Sequence, residues 1–373
     1  GIPIIKIKNI GPPEVTLEDI TYVSEDVAEK QKKFLLSYDD VLIAMTGSHI
    51  NQWASVVGRV ARVKYYDKSL LNQRVGKITL KENAQADLTF IYYFLSQDRV
   101  KIQLAAKAGG AANQANISPS DIKGLLFPCP DLDKQIKIAG ILKAYDDLIE
   151  NNKRQIILLE EAAQRLYKEW FVDLRFPGYE DCKIVDGVPV EWKKKKLDEI
   201  ADVIMGQSPK SEFYNKEHKG LPFHQGVGSY GARFVQDDTY STSFTKVAEA
   251  NSILFSVRAP VGRLNITKNK IVIGRGIAAI NSKSGFQSYL FYALKERFFK
   301  DDILGNGAIF ASISKNELLN QVFVIPDEKI MSAYEKIAAA LDKKIEVVDM
   351  QLQQLVEARD RLLPKLMNGE IEV

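Results

Sequence analysis

The stretch Ile138-Ala-Gly-Ile-Leu-Lys-Ala-Tyr-Asp146 returns 196 residues later as Tyr334-Glu-Lys-Ile-Ala-Ala-Ala-Leu-Asp342. The same offset places Glu161-Ala162 on Glu357-Ala358. Self-similarity at a fixed distance indicates that a chain is built from repeated structural units. The sequence therefore predicts two similar halves, and its 373 residues exceed what one compact core normally holds.

Apolar residues recur at alternating spacings of three and four in both copies of this region. The stripe runs from Leu142 to Trp170 and from Ala338 to Leu366. About four heptads in each half favour two long helices that pack on each other, while an amphipathic helix lying on its own module is the alternative. The predicted packing residues are Leu142, Tyr145, Ile149, Asn152, Ile156, Leu159, Leu166, Leu341, Ile345, Val348, Leu352, Leu355 and Leu362.

A two-fold repeat favours an antiparallel pair of helices, with one module at each end. About 29 residues at a rise of 1.5 Å give a spacer of roughly 43 Å. Asn152 lies on the apolar stripe. A buried Asn in such a seam can set the register of the two helices at some cost in stability.

The regions before the two helices contain short β-branched runs separated by Gly, Pro and Asn. Upstream, the repeat offset drifts as loops of unequal length require, so that Asp40-Val-Leu-Ile-Ala44 resembles Ser252-Ile-Leu-Phe-Ser256. We expect mostly β modules and an α+β fold. Two internal helices are expected near Phe90–Leu104 and Gln287–Lys300. The predicted strands are 2–7, 41–45, 56–63, 252–257 and 271–280.

The sequence carries no recognisable catalytic or metal-binding motif. It has no Gly-rich loop with Lys-Ser/Thr, no G-x-G-x-x-G and no Asn/Asp-Pro-Pro-Tyr segment. The histidines His49, His218 and His224 lack metal-ligand spacing, and no Ser/His/Asp set can be nominated. The adjacent carboxylates Asp39-Asp40 and Asp146-Asp147 are interpreted as a turn and a helix surface. The sequence therefore predicts no catalytic residues and no metal site.

Composition indicates a globular protein of a reducing compartment. Two cysteines, Cys129 and Cys182, make no disulfide framework. No apolar run approaches the roughly 20 residues of a membrane-spanning helix. No secretory signal pattern precedes the first module, although the sequence begins with Gly1. We expect a cytoplasmic location and no membrane association.

Positive charge is concentrated in the globular regions. The net charge is +2 over residues 1–132 and +4 over 172–326, whereas residues 133–171 are neutral and 327–373 carry −3. Such a distribution is compatible with modules that contact phosphates. The four lysines Lys193–Lys196 are interpreted as the solvated entry of a strand, with phosphate contact as the alternative.

Three segments resemble the specificity (S) subunit of type I restriction–modification enzymes. Trp170-Phe-Val-Asp-Leu-Arg-Phe-Pro177 resembles the signature that follows the family's first conserved helix. Leu254-Phe-Ser-Val-Arg-Ala-Pro-Val-Gly262 with Ile273-Gly-Arg-Gly276 is similar to a recurring core of its target-recognition domains. Leu362-Leu-Pro-Lys-Leu-Met-Asn-Gly-Glu370 resembles its C-terminus. The resemblance covers essentially the whole chain.

This resemblance implies a non-catalytic subunit that reads a split site in double-stranded DNA. Each target-recognition domain would read one half, and the helices would set the distance and dock two modification (M) subunits. Those subunits would bind S-adenosylmethionine and methylate adenine N6, and restriction (R) subunits would add ATP- and Mg-dependent cleavage. No cofactor is expected on this chain itself.

The resemblance divides the chain into five segments. They are a first target-recognition domain (1–130), a first spacer helix (131–171), a linker (172–191), a second target-recognition domain (192–326), and a second spacer helix with a tail (327–373). Gly1 aligns with Gly220, yet the second domain begins near Trp192. We therefore expect the first domain to lack the part that matches Trp192–Lys219.

Polar loops that interrupt the apolar runs supply the candidate DNA contacts, because base edges are read by Arg, Lys, Asn, Gln and Ser. In the first module they are Lys6, Lys8, Asn9, Thr46, Ser48, Asn51, Gln52, Gln73 and Arg74. In the second they are Gln207, Ser208, Lys210, His224, Gln225, Ser229, Tyr230, Arg233, Arg258 and Arg275. For each of them, stabilising its own loop is the alternative role.

Two other functions remain open at this point. One is a coiled-coil adaptor with two protein-binding modules and no DNA role. The other is a fused methyltransferase that lacks the usual motifs. Salt-dependent DNA binding by the complex would argue against the adaptor, and S-adenosylmethionine binding by the isolated chain would favour the methyltransferase.

Overall fold

The computed structural model describes residues 1–109, 114–303 and 312–373. The chain divides into two compact units. Unit 1 consists of residues 1–153 and 350–373, and unit 2 consists of residues 154–349. Each unit contains one globular module and a segment of each of two long helices, which span Leu132–Tyr167 and Glu328–Met367.

The module of unit 1 is built from short strands and four short helices. Its strands are β1 (Ile2–Ile5), β2 (Ile10–Gly11), β3 (Glu14–Val15), β4 (Thr21–Val23), β5 (Leu35–Leu36), β6 (Val41–Ala44), β7 (Thr46–Gly47), β8 (Val60–Arg62), β9 (Ser69–Leu71), β10 (Val75–Ile78) and β11 (Ala115–Asn116). Its helices are α1 (Glu25–Lys30), α2 (Leu88–Ser96), α3 (Asp98–Lys107) and α4 (Pro119–Lys123), and the long helix Leu132–Tyr167 is α5. The strands form two main sheets, β4-β1-β9-β5 and β10-β6-β8-β3-β2, and a pair β11-β7.

Unit 2 repeats this arrangement with additional strands. Its strands are β12 (Ile184–Val185), β13 (Val188–Pro189), β14 (Lys193–Lys196), β15 (Ala201–Met205), β16 (Tyr214–Asn215), β17 (Leu221–His224), β18 (Tyr240–Ser241), β19 (Val247–Ala248), β20 (Ile253–Ser256), β21 (Leu264–Ile266), β22 (Ile271–Ile273), β23 (Ile277–Ser282) and β24 (Val322–Ile325). Its helices are α6 (Leu197–Ile200), α7 (Gln287–Ile303) and α8 (Lys315–Leu319), and the long helix Glu328–Met367 is α9. The main sheets are β15-β23-β20-β21 and β16-β18-β17-β22-β19, beside the pairs β12-β13 and β14-β24.

The repeat seen in the sequence is present in the strand pairing. β1 and β9 are parallel, with Ile5 opposite Leu71, and β17 and β22 are parallel, with His224 opposite Ile273. β6 pairs antiparallel with β10 and β8, as β20 does with β23 and β21. β6 and β20 are buried at every position, which explains why their sequences are continuously apolar instead of alternating.

The two long helices pack antiparallel within each unit. In unit 1, Asp146 of α5 pairs with Arg359 of α9 at 2.9 Å, and Leu142 shares a core cluster with Leu366. In unit 2, the rings of Tyr167 and Tyr334 lie 6.1 Å apart, whereas the earlier Glu160 and the later Asp342 both face Arg233. In both units, later residues of α5 therefore meet earlier residues of α9, and the predicted fold class is confirmed.

The predicted apolar stripe is the covered side of these helices. The structure buries or half-buries all of its residues, including Asn152 at 7% exposure. Other apolar side chains of α5, namely Leu148, Ile157 and Leu158, are exposed. The 3-4 spacing thus distinguishes the packing side from apolar residues that merely occur on the same helix.

Several segments differ from the prediction. The helix expected over Phe90–Leu104 is two helices, because Gln97 adopts an extended conformation between them. The strand expected over 271–280 is interrupted at residues 274–276. The segment 172–191, predicted as a linker, contains the hairpin β12-β13 and buries Phe176, whose ring lies 5.0 Å from that of Trp192. Aromatic packing thus makes part of this segment core.

The paired carboxylates also have roles that the sequence did not indicate. Asp39 forms ion pairs with Arg62 and Lys64. Asp146, expected on a helix surface, is half-buried and accepts a hydrogen bond from the Tyr93 hydroxyl at 2.7 Å.

The described ranges contain no helix that is both long and apolar enough to cross a membrane. No three His, Cys, Asp or Glu side chains gather as metal ligands in those ranges either.

Candidate nucleic-acid interface

Four strands of unit 2 end at one edge of its sheets, and polar loops follow them. β17 and β22 are parallel, so their C-terminal ends lie together, and β15 and β20 both run antiparallel to β23. The chain then continues through residues 206–211 after β15, 225–230 after β17, 257–261 after β20, and 274–276 after β22. We call these four segments the unit 2 edge.

Backbone hydrogen bonds connect the segments of the unit 2 edge. Gly274 N–H donates to the His224 carbonyl at 2.8 Å, and Gly276 N–H donates to the Gln225 carbonyl at 3.1 Å. Val257 N–H donates in turn to the Gly276 carbonyl at 2.9 Å. The loops therefore form one connected surface, held by main-chain atoms whose bonds do not depend on side-chain identity.

Gly206 is required by a close approach of two backbones in this edge. A Cβ atom built on Gly206 would lie 2.2 Å from the Gly274 carbonyl oxygen and 2.7 Å from that of Ile277. Neither carbonyl belongs to a flexible side chain, so the backbone itself would have to move. By contrast, a Cβ on Gly226 of the same edge would meet no atom within 4 Å.

We expect Gly206→Ala to lower the free energy of unfolding by about 1–3 kcal/mol, because it forces two packed loops apart. Gly226→Ala, in the same edge but with open space, should change it by less than about 0.5 kcal/mol. Urea unfolding of both variants measures the difference. Equal stabilities for the two variants would show that the loops are not held as tightly as the geometry indicates.

Unit 1 presents the same edge with different side chains. Asn72 N–H donates to the Ile5 carbonyl at 3.1 Å, and Met45 N–H donates to the Arg74 carbonyl at 3.0 Å. These bonds match those that Gly274 and Val257 make in unit 2 at the ends of the corresponding strands. The unit 1 edge thus comprises residues 6–9 after β1, 45–52 after β6 and 72–74 after β9.

Both edges are rich in hydrogen-bond donors and contain no acidic side chain. The unit 2 edge carries Lys210, Arg258 and Arg275, all exposed, and its segments contain no Asp or Glu, although Glu212 just beyond them lies 3.9 Å from Lys210 Nζ. The unit 1 edge carries Lys6, Lys8 and Arg74, again without Asp or Glu. Lys8 pairs with Asp19, and Lys6 Nζ donates to Thr21 Oγ1 at 2.8 Å. Arg74 is exposed.

Most of the residues predicted to contact DNA lie at these two edges, exposed or half-buried. They are Lys6, Lys8, Asn51, Gln52, Gln73, Arg74, Gln207, Ser208, Lys210, Gln225, Ser229, Tyr230, Arg258 and Arg275. The hydroxyl of Tyr230 is itself buried with no hydrogen-bond partner in the described part of the chain, and burial raises its pKa. The DNA contacts remain predictions.

Five of the predicted contacts need correction, because their side chains are buried and bonded within their own unit. Asn9 donates to the Glu18 carbonyl, Thr46 to Asn116, and Ser48 to the Gln52 carbonyl. His224 and Arg233 are buried in unit 2. These groups stabilise the loops that carry the exposed residues, and their burial keeps them away from a base edge.

His224 is part of a Ser/His/Asp arrangement that the sequence did not reveal. Its Nδ1 lies 2.7 Å from Ser229 Oγ and its Nε2 lies 2.9 Å from Asp237 Oδ1. The histidine side chain is 0% exposed, so its ring is closed off from any substrate. We interpret these two contacts as hydrogen bonds that hold the loop after β17 against the end of that strand.

Arg233 is the other buried residue that was expected at the DNA. It pairs with Asp342 of α9, lies 3.6 Å from Glu160 of α5, and stacks 3.8 Å from the ring centre of Phe291. Burial opposes its charge, but Asp342, Tyr292 and Glu160 outweigh that effect and raise the pKa of Arg233 above its ordinary value. The offset of 196 relates Asp342 to Asp146, but the sequence alone indicated a helix surface for Asp146 and did not reveal the partner of either carboxylate.

Comparison with known proteins accounts for the two similar units. The profile of the type I restriction modification DNA specificity domain matches residues 1–161 and again residues 189–358. The chain belongs to this family. The resemblance predicted from the sequence is confirmed, and the two matches correspond to the two modules that carry the edges.

Curated proteins similar to this chain include ones named as specificity subunits of type I restriction enzymes. The MjaX specificity subunit of Methanocaldococcus jannaschii is 32% identical over 379 residues, covering 100% of this chain and 88% of that protein. The MjaIX specificity subunit of the same organism is 27% identical over 297 residues, covering 75% of this chain and 68% of the relative.

A solved structure supports the fold of this family member. The S subunit of a type I restriction–modification system from M. genitalium has a TM-score of 0.60 at 20% sequence identity. The match covers 90% of this chain and 84% of that one. At this identity the similarity concerns the fold alone.

Proposed function

We propose that this chain is the sequence-specific DNA-recognition subunit of a type I restriction–modification complex, and that each unit reads one half of a split site. The observation that carries the proposal is the repeated edge. Two sets of loops, held by equivalent backbone bonds, each present exposed Arg, Gln or Lys side chains without an acidic residue. Such donors match the acceptors of base edges and phosphates.

The proposed complex contains further subunits and acts in the cytoplasm. The helices α5 and α9 dock two modification subunits, which bind S-adenosylmethionine, and restriction subunits that use ATP and Mg join them. In this proposal the chain contributes no catalytic group and holds no cofactor. Its role is to choose the DNA sequence on which the partner subunits act.

Salt dependence of DNA binding by the complex of this chain with its modification subunit tests the proposal. Each phosphate that a cation neutralises lowers log K by about 0.9 per tenfold increase in salt. We therefore expect affinity to fall steeply with salt, and Lys210→Gln to reduce the magnitude of the slope by about 0.9. Lys210 lies on the unit 2 edge and is exposed.

Lys270→Gln is the matched control for this measurement. Lys270 directly precedes β22, whereas a segment of the unit 2 edge follows this strand. The control therefore removes a cation at the end of β22 that lies away from the edge. Its slope should equal that of the unmodified complex. A flat salt response of the unmodified complex would favour the adaptor role instead. Methyl transfer by the purified chain alone would favour a fused methyltransferase.

A further inference from the structure

Ser208 bonds to two residues of the unit 2 edge, the side chain of Gln225 and the backbone of Arg275. Its Oγ donates a hydrogen bond to Gln225 Oε1 at 2.9 Å and accepts one from the backbone N–H of Arg275 at 3.2 Å. A Cβ on Gly274 would lie 3.1 Å from the same Oγ, so the hydroxyl is also in close contact with the turn that carries Arg275. One hydroxyl thus relates the positions of Gln225 and Arg275.

This contact decides which groups of the edge face outward. Because the side-chain oxygen Oε1 of Gln225 accepts the hydrogen bond from Ser208, the N–H groups of the same side-chain amide remain available to a ligand. The guanidinium groups of Arg275 and Arg258 are exposed. In the described ranges neither guanidinium has an ion-pair or hydrogen-bond partner. Gln225, Arg258 and Gly276 also line one small groove. The centre of the edge therefore offers donors to its ligand.

Among the four bases, guanine presents the complementary pattern. In the major groove it offers two adjacent acceptors, N7 and O6, whereas adenine combines an acceptor with a donor and cytosine offers a donor. We propose, on the basis of the proposed function, that unit 2 reads a guanine in its half-site through Arg275 and Gln225. In this proposal Ser208 is the positioning residue that orients both side chains.

The experiment uses the complex of the full chain with its modification subunit and a DNA library randomised at both half-sites. The half-site of unit 2 is identified by photo-cross-linking from a benzoylphenylalanine placed at position 228, because a Cβ on Gly228 meets no atom within 4 Å. That half-site should contain a guanine. Replacing this guanine with 7-deazaguanine, which lacks N7, should weaken binding about 5- to 150-fold.

Ser208 is tested by variants in the same complex. Ser208→Ala should reduce the preference for guanine over adenine about fivefold, the effect of one hydrogen bond, while the thermal midpoint stays unchanged. Ser208→Thr keeps a hydroxyl and should restore the preference. Ser284→Ala, an exposed serine that follows β23 and lies outside the edge, is the matched control and should leave the preference unchanged.

The outcomes separate the inference from the proposed function. Specific binding to a half-site without guanine would overturn the inference and leave the function intact. So would an Arg275→Ala variant that weakens all sequences equally, since that pattern indicates a phosphate contact. An unchanged base preference in Ser208→Ala would overturn the positioning role. Absence of specific DNA binding by the unmodified complex would contradict the proposed function itself.

Discussion

A chain shortened by one heptad in each long helix is expected to direct methylation to sites whose half-sites lie about three base pairs closer together. Deleting Glu150–Ile156 from α5 and Glu346–Leu352 from α9 keeps the apolar stripe in phase, because seven residues restore the heptad position. The deletion removes roughly 10 Å of helix at 1.5 Å per residue. B-DNA rises about 3.4 Å per base pair.

Sequencing of methylated adenines after expression with the modification subunit measures the spacing. Methylation at the original spacing should fall to background, while the half-site sequences stay the same because both edges are untouched. The total activity should also fall, since three base pairs turn the duplex by nearly a third of its repeat of about 10.5 base pairs. Retention of the original spacing would show that the helices do not set it.

Two controls isolate the change in length. The deletion removes Asp349, which pairs with Lys268 in unit 2. Lys268→Gln breaks the same ion pair at full helix length and should keep the original spacing. Insertion of one heptad at the same positions should move the half-sites apart by about three base pairs. A shift in only one of the two directions would point to local distortion of the helices.

Arg233→Ala should strongly destabilise unit 2, because it removes a buried cation. The Arg233 side chain is 2% exposed and faces Asp342 and Glu160. The substitution leaves these carboxylates without their buried counter-ion and opens the stacking position on Phe291. We expect the free energy of unfolding to fall by about 3 kcal/mol, the lower end of what breaking a buried pair costs, because both carboxylates retain some contact with water.

Arg359→Ala provides the comparison in unit 1. Arg359 pairs with Asp146, the repeat-related carboxylate, but its side chain is 20% exposed. The loss there should be about 1 kcal/mol. Neutralising the carboxylates together with Arg233, as Asp342→Asn and Glu160→Gln, should recover part of the loss. Denaturant unfolding measures all three variants, and a cost below about 1 kcal/mol for Arg233→Ala would contradict the assigned role.

The architecture could be predicted because it rests on patterns that are local or strictly periodic. The offset between Asp146 and Asp342 and the 3-4 spacing after each of them predicted two modules and two packed helices. The strands also followed from local runs, as in Val41–Ala44 and Ile253–Ser256. The register of the strands and the edge at which they end together could not be predicted, because pairing between distant segments leaves no periodic signal in the sequence.

The candidate site could be predicted only as a pool of polar loop residues. In the sequence, Arg233 and His224 cannot be distinguished from the exposed candidates, because they are polar residues in similar loop segments. In the structure both side chains are buried and bonded, Arg233 to Asp342 and His224 to Asp237. Asp342 lies 109 residues from Arg233 in the sequence, so the pair could not be recognised there. One helix boundary was also predicted wrongly: a single helix was expected over Phe90–Leu104, whereas the backbone is extended at Gln97.

The main-chain bonding of the two edges has an evolutionary consequence. Backbone atoms supply one set of the hydrogen bonds that hold the loops, such as Gly274 N–H with the His224 carbonyl and Asn72 N–H with the Ile5 carbonyl. Under the proposed function, substitutions at Gln73, Gln225 or Arg275 would alter the bases that are read without removing any of these bonds. Natural selection could therefore diversify the recognised sequence by point mutation or by exchange of loops between the two modules, at little expense in stability.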